Sequence, residues 1–122
     1  MFNTFNGCYD LKKLNISTFD TANVSNMYGM FSECTSMKKL DLSSFNTSKV
    51  TVMQHMFREA SALETIYVSD DFVTTSVTSG SEMFENNYNL VGGNGTAANG
   101  ETHDASYARI DKPGIPGYFT AK

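Results

Sequence analysis

The chain has 122 residues, 40 % of them apolar and 18 % charged, a balance that fits one folded domain and excludes a disordered polymer. A formal net charge of −4 argues against non-specific attraction to nucleic acid or anionic lipid. No apolar run reaches the ~18 residues that a membrane-spanning helix requires.

In chain order, residues 1–7 read as the tail of a helix whose beginning is missing. That leaves an uncapped N-terminal edge, expected either in a fragment of a longer array or where a second copy self-associates. No basic and apolar leader follows Met1, so no secretory signal is visible, and this does not exclude export, since a mature chain or a fragment would lack one.

A repeat then becomes visible. Phe5, Cys8, Leu14, Ile16, Phe19, Val24 and Met27 recur 26 positions later as Phe31, Cys34, Leu40, Leu42, Phe45, Val50 and Met53. Phe57, Ala60, Leu63, Ile66 and Val68 form the next copy, and one extra residue near Asp70 or Asp71 restores the match at Phe72, Val77, Met83 and Phe84. Such a period predicts stacked structural units.

Each unit is expected to hold one strand and one helix. Leu14-Asn-Ile16, Leu40-Asp-Leu42 and Ile66-Tyr-Val68 alternate apolar and polar, the pattern of a half-buried strand. Val24, Met27, Phe31 and Cys34 are spaced as one face of an α-helix, as are Val50, Met53, Phe57 and Ala60. Asp20-Thr21 and Asn46-Thr47 stand where helix N-caps would. The expected fold is α/β, a leucine-rich-repeat-like solenoid of about three to four strand–helix repeats of 26–27 residues with a C-terminal β-hairpin cap. Residues 1–91 would form the solenoid. Residues 92–122 would form a loop and the hairpin, with Tyr107–Ile110 and Tyr118–Thr120 flanking a Pro/Gly turn.

Cys8 and Cys34 share a repeat slot and read as buried free thiols, since stacked helices ~8–10 Å apart exceed the ~7 Å limit for bridging. Catalysis is not expected: buried thiols resist ionisation, and His55 and His103 are isolated, without metal-ligand spacing. Asp70-Asp71 and the Gly/Asn segment 92–100 carry oxygen ligands, but turning is the simpler account. No cofactor and no metal are implied.

With the repeat laid out, the chain resembles the BspA-like leucine-rich-repeat surface proteins. Met30-Phe31, Cys34, Met37, Leu40-Asp-Leu-Ser-Ser-Phe45, Asn46-Thr-Ser48, Val50-Thr51 and Met53 carry the resemblance, and the ending Pro116-Gly-Tyr-Phe-Thr120 is similar to the terminal segment of many of them. The resemblance implies an extracellular or cell-surface bacterial protein that contacts host proteins or other cells, with no catalytic residues.

The outward strand positions are free of packing duty. Lys13, Asn15, Lys39, Asp41, Thr65 and Tyr67 are therefore the candidate binding residues. The expected function is a non-enzymatic protein-binding or adhesion module with a protein or cell-surface partner, no nucleic acid and no membrane insertion. The alternative is a structural spacer or capping module with no ligand of its own.

Overall fold

The computed structural model describes residues 4–98 and 103–122. Three short strands form one parallel sheet of order β1-β2-β3: β1 (Lys39–Leu42), β2 (Thr65–Val68) and β3 (Thr120–Ala121). Leu40 pairs with Ile66 and Leu42 with Val68, the register that the repeat spacing predicts. These four side chains are buried, while Lys39, Asp41, Thr65 and Tyr67 between them reach the surface. The corresponding segment 11–16 forms no strand, although Ile16 is buried.

The strand–helix solenoid is not what forms. Among the described residues there is no α-helix, and the one helical element is a 3-10 turn at Ala105–Tyr107. Each expected helix is instead a pair of consecutive β-turns. In the second repeat the Met30 amide donates to Met27 O and the Cys34 amide to Phe31 O, and Gly29 and Glu33 have φ of 60° and 61°. A positive φ at the third residue is what a type II turn requires. The third repeat places His55 and Glu59 in the same slots, at 59° and 58°, and the fourth places Glu82 and Asn86 there, at 55° and 62°.

This geometry explains why the spacing reads as helical. The first and last residue of each turn point inward, so Met27, Met30, Phe31 and Cys34 are buried. Their offsets of three, one and three match one face of a helix. The backbone is satisfied differently, however. Met27, Gly29, Phe31 and Glu33 donate their amides to Val52, Gln54, Met56 and Arg58 of the next repeat. Met30 and Cys34 close the two turns, the Ser32 amide bonds back to Gly29 O across their junction, and the Tyr28 amide takes Asn26 Oδ1. Every amide from 27 to 34 thus has a partner, which a buried chain requires. The expected N-caps are corner pins: Asp20 and Asn46 accept from the amides two residues on, and the buried Thr47 hydroxyl donates to Val73 O and accepts from its amide.

Stacked turns place equivalent rings over one another. Phe5, Phe31, Phe57 and Phe84 form a column with successive centroids 5.5, 5.7 and 5.5 Å apart and rings within 11° of parallel. The stack absorbs a change in repeat length: Asn26 bridges to Val52, 26 residues on, and Val52 to Ser79, 27 on. The extra residue sits at the corner 69–71, where the Asp71 amide takes Ser69 Oγ and Asp71 O accepts from the Thr47 amide.

The β-hairpin cap is also corrected. Ile110 and Phe119 pair in parallel, and β3 continues onto β2 with Tyr67 opposite Thr120. Gly117 makes the crossing fit, because a Cβ there would lie 2.2 Å from Arg109 O. Tyr118 and Phe119 are fully buried and meet Phe84, Phe57 and Phe72 edge-on, closing the core. Asp111 ties this closure to the preceding loop by accepting from the amides of Asn94, Thr96 and Gly117 and from the Thr96 hydroxyl. Of the expected N-terminal helix tail, residues 1–3 lie outside the described residues and 4–7 form turns. Residues 99–102 of the expected polar loop and Gly/Asn segment also lie outside them.

Candidate functional site

Strand alternation sends Lys39, Asp41, Thr65 and Tyr67 to the face opposite the core. Lys13 and Asn15 stand exposed beside β1. Five of the six sequence-predicted residues, Lys13, Asn15, Lys39, Asp41 and Tyr67, line one shallow depression of about 340 Å³. Thr65 is half-buried on β2 and does not line it.

Lys122 completes the depression and was missed by sequence reasoning. It follows β3, which lies beside β2, so its ammonium lies 5.7 Å from the Tyr67 ring centre and is hydrogen-bonded to Asp41 Oδ2. Nothing in the repeat period reaches a residue in the closing segment, which has no repeat counterpart. Burial works against the Asp41 charge, yet the bonds from Lys122 and Ser43 outweigh it and hold the carboxyl below its usual range. A second depression of about 480 Å³ adjoins the first, sharing Lys13 and Lys39 and adding Lys12, Ser36, Lys38 and Glu64.

The turn side carries a second polar array. Tyr28 Oη lies 2.9 Å from His55 Nδ1, and His55 Nε2 lies 2.7 Å from Glu82 Oε2, one link per repeat. His55 Nε2 donates to the Glu82 carboxylate, which can only accept when ionised, and Tyr28 Oη bonds the other ring nitrogen. Arg58 Nε donates to Glu85 Oε2 at 2.9 Å, and Tyr9 Oη donates to Glu33 Oε2 at 2.9 Å. That bond holds the Tyr9 phenol above its ordinary pKa. The Tyr28–His55–Glu82 line ties three successive repeats together side chain to side chain.

Among the described residues no three His, Cys, Asp or Glu side chains converge on a point that could hold a metal ion. Both cysteines are free. The spacing argument for that expectation falls with the helices; what engages Cys34 is a contact from its thiol to Phe5 O at 3.1 Å. Burial, and secondarily Cys8, pushes the Cys34 thiol up to about 11. Asn87 occupies the equivalent slot in the fourth repeat and makes the same kind of bond, donating to Phe57 O at 2.8 Å. No helix among the described residues is long and apolar enough to cross a membrane.

Residues 1–94 match the model of a family described as Mycoplasma protein of unknown function, DUF285. The chain belongs to the DUF285 family. Comparison with curated proteins and with solved structures finds no significant match. The span shared with DUF285 takes in all six sequence-predicted residues, whereas Asp111 and Lys122 lie beyond it.

Proposed function

We propose that this chain is a non-enzymatic binding module of a BspA-like cell-surface or secreted protein, recognising its partner with the outer strand face. DUF285 membership supports the surface-protein assignment, since that family is associated with BspA-like surface repeat proteins. The observation that carries the binding face is the convergence of Lys13, Asn15, Lys39, Asp41 and Tyr67 with Lys122 from the far end of the chain. Tyr67 is the kind of amphipathic side chain that anchors a partner, and the charged groups around it set which partner fits.

The test is binding of the purified protein to cultured cell monolayers, comparing wild type with the triple variant Lys39→Ala, Asp41→Ala, Tyr67→Ala. A turn-side control, Tyr28→Phe, should bind as wild type does. The triple variant should retain less than about half the bound protein, on the rule that a few central contacts carry most of an interface. Equal binding by both variants would favour a spacer that holds other domains apart and contacts nothing itself.

A further inference from the structure

Five of the nine basic residues of the chain, Lys12, Lys13, Lys38, Lys39 and Lys122, line the two adjoining depressions of the strand face. Two carboxylates, Asp41 and Glu64, share those linings, so the patch is net positive by three. The rest of the chain holds four basic residues against eleven acidic ones, so a net charge of −4 conceals one cationic surface on an acidic molecule. The argument from net charge against non-specific attraction to nucleic acid or anionic lipid concerns the average and not this face.

The lysines are periodic. Lys12 and Lys13 recur as Lys38 and Lys39 one repeat later, and all four line the second depression. The two pairs are the lysine rows of this face, and Lys122, bonded to Asp41, lies beside the Tyr67 ring in the adjoining depression. Among the lining residues the apolar groups are Leu14 and the Tyr67 ring, with the polar side chains of Asn15 and Ser36 beside them. A folded protein partner would need apolar pockets for its anchoring side chains. Shallow cationic depressions with a flat ring, an amide and a hydroxyl suit a different occupant. A sugar ring offers C–H groups to an aromatic face and hydroxyls to amides, and its acidic substituents suit ammonium groups.

We infer that this face holds a linear anionic polysaccharide, its sulfate or carboxylate groups seated on the two lysine rows and a sugar ring against Tyr67. The inference rests on the reading of the strand face as the binding surface and names the chemistry of its ligand.

The experiment uses immobilised heparin as the sulfated probe, neutral dextran and poly-glutamate as comparators, and surface plasmon resonance at about 50 mM and about 300 mM NaCl, where screening differs strongly. The whole chain is compared with the triple variant Lys12→Ala, Lys13→Ala, Lys38→Ala and with Lys112→Ala, a lysine outside the patch. These variants leave Lys39, Asp41 and Tyr67 in place, and circular dichroism confirms that they fold. Heparin binding that weakens on the order of tenfold in the triple variant and again at high salt, as release of counterions dictates, with Lys112→Ala unchanged, is the expected result. Failure to bind heparin, or equal binding by the triple variant, overturns it. Poly-glutamate binding as tight as heparin also overturns it and makes an acidic protein segment the occupant. If heparin fails while the cell-binding loss at Lys39, Asp41 and Tyr67 holds, the ligand class falls and the binding face stands; if both fail, both fall.

Discussion

Replacing Phe57 by alanine probes how the stack is held together. The ring is fully buried and lies third in the column, against Phe31 at 5.7 Å and Phe84 at 5.5 Å, with Phe119 edge-on at 6.2 Å. Truncating a buried Phe costs about 3–5 kcal/mol. Each lost ring pair adds about 0.5–1.5 kcal/mol beyond buried area, which places Phe57→Ala near the top of that range, at about 5 kcal/mol. A domain of 122 residues has a total stability of about 6–18 kcal/mol, so this one change removes about a quarter of it or more. Phe5→Ala is the internal comparison. Phe5 is half-buried and stacks on Phe31 and Phe19 from one side, so about 2 kcal/mol is expected. Urea titration followed by tyrosine fluorescence reads the difference, because the chain has six tyrosines and no tryptophan. At a slope of about 2 kcal/mol per molar, the midpoint should fall by about 2.5 M for Phe57→Ala and about 1 M for Phe5→Ala. Equal shifts, or a larger one for Phe5, would show that the ring column does not hold the repeats together.

Two further outcomes follow from the charges and thiols. The Asp111 carboxyl is pushed up by burial but pulled further down by its four hydrogen bonds, so its pKa in the folded protein lies below its ordinary value. Its contribution is therefore complete above the unfolded value of about 3.9 and is lost as pH falls through the lower folded value. Asp111→Asn should cost about 2 kcal/mol at pH 7 and flatten the fall in melting temperature on acidification; an unchanged acid limb in melts followed by circular dichroism would refute this. Cys34, buried with its thiol raised to about 11, should react with iodoacetamide about 100-fold more slowly in native protein than in urea, and mass spectrometry that found equal rates would show an open slot.

The repeat register and the strand face were legible in the sequence, because both depend on a side-chain period that the strand geometry enforces. Leu40 over Ile66 and Asp41 beside Tyr67 follow directly from it. The turns were not legible. Inward residues at the ends of two successive four-residue turns mimic one helix face, and only the destination of the amides separates the two, a property that side-chain identity does not print. Glu33, Glu59 and Glu82 added to the illusion, since glutamate is a good helix former yet here adopts positive φ. That conformation costs roughly 1 kcal/mol per residue, and at Glu33 and Glu59 it is held by the amide bonds to Arg58 O and Glu85 O of the next repeat. Gly29 in the equivalent slot was the available hint. Lys122 could not be placed, because nothing in its local sequence says that the closing segment returns to β2 beside Tyr67.

The extra residue at corner 69–71 has a practical meaning. Upstream and downstream of it the bridges and the ring column keep their alignment, so the protein changes length there without changing phase. Asp70 and Asp71 are exposed, and a tag, a fluorophore or a grafted loop inserted between them would leave the layers on either side in step.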